Sequence, residues 1–107
     1  MLYELRFYYI AAGKRDEFVR IMDEQIIPFQ IQQGMNILGS FIDHEDADCY
    51  IWLRSYNDEN DKQKLYDKVY GSDTWQKQIR PLFADLLIRE KTAVHMLSPT
   101  KAMPNIV

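Results

Sequence analysis

The chain has 107 residues, of which 47% are hydrophobic and 27% charged, a composition typical of one packed domain rather than of a disordered segment. Thirteen Lys and Arg against sixteen Asp and Glu give a net charge of -3, which is not the basic footprint of a nucleic-acid-binding protein. The single cysteine excludes an internal disulfide and a zinc site made of cysteines alone.

The first two elements are predicted from two different hydrophobic periods. Residues Leu2 to Ile10 alternate in side-chain character and are rich in aromatics, which predicts a strand. From Lys14 to about Gln33, apolar residues recur every three or four positions, which predicts a helix. We expect Pro28 to kink this helix or to end it near Ile27, because proline lacks the backbone donor.

A hairpin is predicted in the middle of the chain. Met35 to Asp43 and Cys49 to Tyr56 are rich in strand formers, and the acidic turn His44 to Asp48 joins them. If the two strands pair with Asp43 opposite Asp48, then Gly39 lies opposite Trp52. This register is sterically sensible, because a glycine leaves room for the indole.

The second half begins with a helical region that Asp58 caps, that Gly71 interrupts and that contains Pro81. A last strand is predicted from Ile88 to Leu97. The order of elements predicts an α+β, ferredoxin-like βαββαβ fold with a four-stranded antiparallel sheet. We expect the first and third strands at its centre and helices on one face. The domain is predicted over residues 1–97, with an extended tail at 98–107.

The two faces of the sheet are predicted to differ. We expect the more aliphatic face, with Leu5, Ile51 and Leu53, to lie under the helices. The opposite face is then too aromatic to remain in water, and such an apolar patch marks an interaction site. We therefore expect a homodimer whose two open sheet faces close into an α/β barrel around a cavity. The residues expected to bind a ligand in that cavity are Glu4, Arg6, Tyr8, Phe41, Tyr50, Trp52 and Arg54.

Candidate catalytic residues come from the charged side chains of the same face. Glu4, Arg6 and Arg54 would form a carboxylate held by arginines, able to act as a base or to bind an acidic ligand. The alternative is a structural ion-pair network. The aromatic residues would form a wall for a planar ligand or pack against the partner subunit. His95 is a further candidate, as a general base or haem ligand, with a structural role as its alternative.

No cofactor and no metal site is predicted. The acidic turn lacks the spacing and the glycine of a calcium loop, so a solvated turn is expected. Phosphate-binding glycine patterns and the G-x-S-x-G motif are absent from the sequence. The chain opens with a strand pattern rather than a signal peptide, and no apolar run approaches the roughly 20 residues that cross a bilayer. We therefore expect a cytoplasmic protein without nucleic acid or membrane as a partner.

Four segments carry a resemblance to a known family. They are Tyr3-Glu4-Leu5-Arg6-Phe7-Tyr8, Gly13-Lys14-x-x-x-Phe18, Ile51-Trp52-Leu53-Arg54-Ser55-Tyr56, and Tyr66-x-x-x-Tyr70-Gly71 followed by Trp75. In this order and spacing they resemble the NIPSNAP family, and the similarity runs from Met1 to about Leu97. The resemblance implies a ferredoxin-like fold and membership of the dimeric α/β-barrel superfamily. That superfamily also holds cofactor-free monooxygenases of polyketide quinones, haem-degrading enzymes and small isomerases. The resemblance implies no agreed catalytic residues.

Two functions are compatible with these observations. The first is a homodimer that binds a small, partly aromatic molecule in the barrel cavity, without established catalysis. The second is a cofactor-independent monooxygenase or isomerase of a small aromatic or quinone-like compound, which rests on analogy with the superfamily. Binding of single-stranded RNA on the sheet is disfavoured by the acidic charge and by the lack of an RNP signature.

Overall fold

Four strands form one antiparallel sheet in the computed structural model, which describes residues 1–103. The strands are β1 (Leu2–Tyr9), β2 (Asn36–Ile42), β3 (Cys49–Tyr56) and β4 (Ala93–Leu97). Their order across the sheet is β2-β3-β1-β4, with β1 and β3 at the centre. This arrangement confirms the predicted α+β, ferredoxin-like fold.

Two helical regions cross the sheet. The first is continuous over 15–32 and consists of α1 (Arg15–Ile21), a π-helical segment (Met22–Ile26) and α2 (Ile27–Gln32). The second consists of α3 (Glu59–Tyr70), a π-helical segment (Thr74–Ile79) and α4 (Arg80–Phe83), and a 3-10 turn (Arg89–Lys91) precedes β4. Within residues 1–103, no helix has the length and apolar character that crossing a bilayer requires.

Each π-helical segment ends two residues before a proline. Pro28 lies near the start of α2 and Pro81 near the start of α4. A proline removes one backbone donor, and its ring clashes with the carbonyl four residues earlier in an α-helix. The wider π turn accommodates both effects. The first helical region therefore continues to Gln32, whereas a break near Ile27 was one of the predicted outcomes.

A bulge in β2 changes the predicted register of the hairpin. Ile37 pairs with Arg54, as Asp43 opposite Asp48 would require, but the register shifts at the next residue. Gly39 consequently lies opposite Leu53, and the predicted pairing of Gly39 with Trp52 is wrong. A Cβ at this position would overlap the ring of Phe41, so a larger residue there would require the Phe41 side chain to move.

The helices cover the face of the sheet that we expected to be open. Tyr50 and Trp52 are buried with Phe18, Met22 and Ile26 of the first helical region. Alternation along the strands then places the aliphatic residues on the opposite face, where Leu5, Ile51 and Leu53 are only partly buried. The predicted assignment of the two faces is therefore wrong. The large aromatic side chains fill the space between sheet and helices, and the helices supply polar partners for the buried charges.

β4 ends at Leu97, and residues 98–103 form neither helix nor strand. The remainder of the predicted tail, 104–107, lies outside the described residues. The predicted N-cap is confirmed, since the Asp58 carboxylate accepts the backbone N–H of Asp61 at 2.8 Å.

Candidate functional site

A cavity of about 440 Å³ lies between the sheet and the helices. Arg6 and Tyr8 of β1 and Trp52 of β3 contribute to its wall from the sheet. Helical residues form the other side, and exposed residues such as Gln76 and Arg80 mark its solvent end. The volume falls within the roughly 300–1,000 Å³ of typical small-molecule sites. This cavity lies within one subunit, whereas we expected the ligand-binding residues to surround a cavity between two subunits.

Aromatic rings form much of the wall. Tyr8 and Trp52 have ring centroids 6.1 Å apart on the sheet side. On the helix side, Trp75 packs edge-to-face on Tyr70 at 4.9 Å and lies 5.7 Å from Phe83. Edge-to-face and tilted pairs of this kind add stability beyond their buried area and hold the rings in fixed orientations. The aromatic part of the wall is therefore apolar and built from rigid side chains.

Both π-helical segments contribute to this wall. Met22 and Ile26 come from the first segment, and Trp75 and Gln76 come from the second. A π turn inserts an extra residue into the helical ladder and often occurs at functional sites. The two prolines thus shape the helices where they border the cavity.

A buried carboxylate lies behind the wall. Glu4 Oε1 contacts Arg54 Nη2 at 2.7 Å, and Oε2 accepts from Arg6 Nε at 3.1 Å. The hydroxyl of Tyr56 donates to Oε1 at 2.8 Å, and the hydroxyl of Tyr66 donates to Oε2. Burial alone would raise the pKa of Glu4, but Arg54, Tyr66 and Arg6 together hold it below its usual value. Glu4 is therefore ionised at neutral pH.

Arg54 is fully engaged by its neighbours. Its Nε donates to Glu4 at 2.9 Å, and its Nη1 donates to Gln30 Oε1 at 2.8 Å and to the Tyr70 hydroxyl at 2.6 Å. The guanidinium also lies 4.4 Å from the centre of the Trp52 ring, within the range of a cation–π interaction. With its donors satisfied and its side chain 1% exposed, Arg54 acts as a support for the wall.

Tyr66 connects this buried network to the cavity. It lines the cavity, and its hydroxyl accepts from Arg6 Nη2 at 3.0 Å while donating to Glu4. Burial is the main reason why the pKa of Tyr66 is raised to about 12. The phenol is therefore protonated at neutral pH and is polarised by an ionised carboxylate.

The indole Nε1 of Trp52 is a buried donor in the wall. Within residues 1–103 it makes no hydrogen bond of good geometry. The Tyr8 hydroxyl is nevertheless within reach of the indole, and this contact acts to lower the pKa of Tyr8, although burial dominates and raises it. Because Nε1 has almost no accessible surface, Trp52 contributes its ring rather than its N–H to the cavity.

The predicted site residues separate into two groups. Arg6, Tyr8 and Trp52 line the cavity, and Glu4 and Arg54 form the network behind them. Tyr50 is buried beside Tyr8, with ring centroids 6.3 Å apart. Two predicted residues lie elsewhere: Phe41 is 54% exposed on the open face, and His95 packs on Phe7 of that same face with ring centroids 5.9 Å apart.

Phe41 lies outside the cavity because of the bulge in β2. The register shift pairs Phe41 with Ile51, and side chains paired across a ladder share one face. His95 also lies outside the cavity, because it pairs with Leu5 on that same face. Neither side chain lines the cavity.

The predicted site residues all lie on strands, because helical spacing favours a core or interface role for Tyr66, Tyr70 and Trp75 over a place beside a pocket, whereas all three line the cavity. Tyr66 and Tyr70 lie four positions apart on α3, so both face the sheet. This i, i+4 pair of hydroxyl-bearing rings was the available signal, because buried charges on the strands need donors opposite them. Arg80 and Arg89 also line the cavity, and no periodicity pointed to them.

The acidic turn is held by its own backbone. Asp43 accepts the backbone N–H of Glu45 at 2.8 Å, and Asp46 accepts that of Asp48 at 2.9 Å. Arg15 Nη1 donates to the carbonyls of Asp43 and Asp46, each at 2.8 Å. In the described part of the chain, no cluster of His, Cys, Asp and Glu has the arrangement of a metal site.

Solved structures with the same fold come from several bacteria. An uncharacterized NIPSNAP domain protein from Burkholderia xenovorans matches with a TM-score of 0.87 at 23% identity, over 98% of this chain and 100% of that chain. A NIPSNAP family protein from Agrobacterium tumefaciens matches with a TM-score of 0.82 at 25% identity, over 94% of this chain and 93% of that chain. No curated protein matches the chain significantly.

A more distant structure shares only the fold. A putative antibiotic biosynthesis monooxygenase from Nitrosomonas europaea matches with a TM-score of 0.69 at 12% identity, over 92% of this chain and 98% of that chain. The family model of NIPSNAP matches residues 3–104, nearly the whole chain. This match agrees with the four segments that carry the resemblance and with the fold. The chain therefore belongs to the NIPSNAP family.

Proposed function

We propose that this protein binds a small, partly aromatic molecule in the cavity between its sheet and its helices. The observation that carries the proposal is a cavity of about 440 Å³ walled by aromatic side chains. A concave cleft of this size, lined mainly by aromatic and apolar side chains with a few polar groups, is typical of small-molecule sites. The ionised network behind the wall supports the same conclusion, because it holds the aromatic residues in place without a ligand.

The intrinsic tryptophan fluorescence of the protein can be used to measure this binding. Its two tryptophans, Trp52 and Trp75, both line the cavity. We therefore expect aromatic compounds to quench or shift the intrinsic fluorescence in a saturable manner. Native mass spectrometry of gently purified protein is the complementary measurement, and we expect a reproducible mass increment from a retained ligand.

Two neighbouring tyrosines provide a matched test. Tyr8 lines the cavity, whereas Tyr9 is the next residue of β1 and points to the other face of the sheet. We expect Tyr8→Ala to weaken binding of an aromatic compound and Tyr9→Ala to leave it unchanged. Equal affinities in both variants, or no saturable response to any member of an aromatic panel, would contradict the proposal.

A cofactor-independent monooxygenase or isomerase is the second candidate. The polarised phenol of Tyr66 favours it, because a phenol held by Glu4 and Arg6 can donate a hydrogen bond to a substrate oxygen after reorienting. In such an oxygenation, one atom of O₂ enters a ring CH₂ group as a carbonyl, and the other leaves as water with both hydrogens. Oxygen uptake in proportion to product, abolished in Tyr66→Phe, is the expected result. Wild-type turnover by Tyr66→Phe would refute this role.

We also propose that the open face of the sheet packs against a second copy of the chain. Apolar side chains of β1 and β3 occupy this face, and Phe41 is 54% and Leu97 42% exposed there. A symmetric dimer would cover such a surface with its own equivalent. We expect Phe41→Glu to shift the mass in light scattering toward a monomer. Ile31→Glu on α2 is the control, since Ile31 is equally exposed at 55%. A wild-type monomer, or equal effects of both variants, would contradict the dimer.

A further inference from the structure

The side chains that line the cavity carry an excess of positive charge. Three arginines line it, namely Arg6, Arg80 and Arg89, and among the described residues no Asp or Glu does so. Arg6 is already engaged by Glu4 and Tyr66. Arg80 and Arg89 are exposed at the solvent end, and neither forms an ion pair with a carboxylate in residues 1–103. In a chain whose net charge is -3, this local excess of positive charge favours an anionic ligand.

We propose that the ligand is a planar aromatic carboxylic acid. This inference rests on the proposed binding function and names its ligand class. Arg80 and Arg89 hold the carboxylate at the rim, since guanidinium groups pair with carboxylates by charge-assisted hydrogen bonds. The aromatic wall, including Trp52 and Trp75, contacts the rings.

The closing experiment uses matched acids and amides of one, two and three rings, for example 2-naphthoate and 2-naphthamide. Binding is measured by calorimetry and by intrinsic fluorescence. We expect the acid to bind about tenfold more tightly than its neutral amide, the scale of one charge-assisted hydrogen bond. The double variant R80Q/R89Q is expected to remove this preference, because it weakens binding of the acid more than binding of the amide. Arg20→Gln on α1 is the control, because it removes the positive charge of one exposed arginine outside the cavity lining. Thermal unfolding of each variant shows whether the fold is retained.

The outcomes separate this inference from the proposed function. Equal binding of acids and amides, or an acid preference that survives R80Q/R89Q, overturns the anionic ligand while the aromatic cavity stands. Failure of every acid and every amide to bind overturns the proposed function and this inference with it.

Discussion

Replacing Glu4 by glutamine tests the role of the buried network. Gln has nearly the same shape, but it leaves Arg54 without its carboxylate in a region where the Arg54 side chain is 1% exposed. Removing one partner of a buried ion pair costs about 3–5 kcal/mol, because the other charge remains buried and uncompensated. Loss of the ion pair between Glu4 and Arg6 adds little to this cost, since the Arg6 side chain is 21% exposed and water can solvate it.

Urea unfolding followed by tryptophan fluorescence measures this loss, at fixed protein concentration in case the chain associates. A small domain is stable by only about 5–15 kcal/mol, so we expect a large fall in the unfolding midpoint of Glu4→Gln. Glu17→Gln, at an exposed position of α1, is the control and should change the free energy of unfolding by less than about 0.5 kcal/mol. A loss in Glu4→Gln as small as in this control would refute the reasoning.

A double variant keeps the test informative if Glu4→Gln fails to fold. Replacing both partners of a buried pair by groups that carry no charge is often close to neutral, whereas removing one is not. We therefore expect Glu4→Gln combined with Arg54→Met to be more stable than Glu4→Gln alone. Lower stability of the double variant would show that the charge left on Arg54 is not the source of the loss.

The comparison of the wild type with Glu4→Gln also predicts how stability depends on pH. The pKa of Glu4 is lowered in the folded state, so its ionisation stabilises the fold fully above the unfolded pKa of about 4.3. This stabilisation is lost as the pH falls through the lower folded value. We expect the difference in free energy of unfolding between wild type and Glu4→Gln to shrink from pH 7 to pH 3. A difference that stays constant over this range would contradict an ionised Glu4.

Two further predictions concern the backbone. Gly34 has a φ of 101°, a left-handed conformation that disfavours residues with a Cβ. Gly34→Ala should therefore lower the free energy of unfolding by about 1–2 kcal/mol in urea titrations. An unchanged unfolding midpoint would contradict this reasoning. Asp58 caps α3, so Asp58→Ala should cost about 1 kcal/mol, while Asp58→Asn should retain most of the stability because Asn also caps helices.

The order of the elements was predictable from sequence because each element has a strong hydrophobic period. Alternation also sorted the residues of β1 and β3 correctly into two sets, with Glu4, Arg6, Tyr8 and Trp52 together. It could not decide which set the helices cover. Buried charges on a strand look like surface residues until their partners are known, and Tyr66 lies 62 positions away from Glu4.

The candidate site was predictable only in part for the same reason. Residues of the sheet could be grouped by strand alternation, but the cavity also depends on where the helices lie. The two π-helical segments set that position, and their residues Met22 and Trp75 show ordinary helical spacing in the sequence. The sequence does not indicate the bulge in β2 either, because one additional residue in a strand does not alter its apolar composition.

The π-helical segments have a consequence for how related proteins could diverge. Each segment amounts to one more residue in a helical turn, and each contributes side chains to the cavity wall. Deleting one residue from such a turn would restore the α-helical hydrogen bonds and rotate the preceding or following side chains by about 100°. The size and shape of the cavity can therefore change through the length of two helical turns, while the four-stranded sheet and the buried Glu4 network stay as they are.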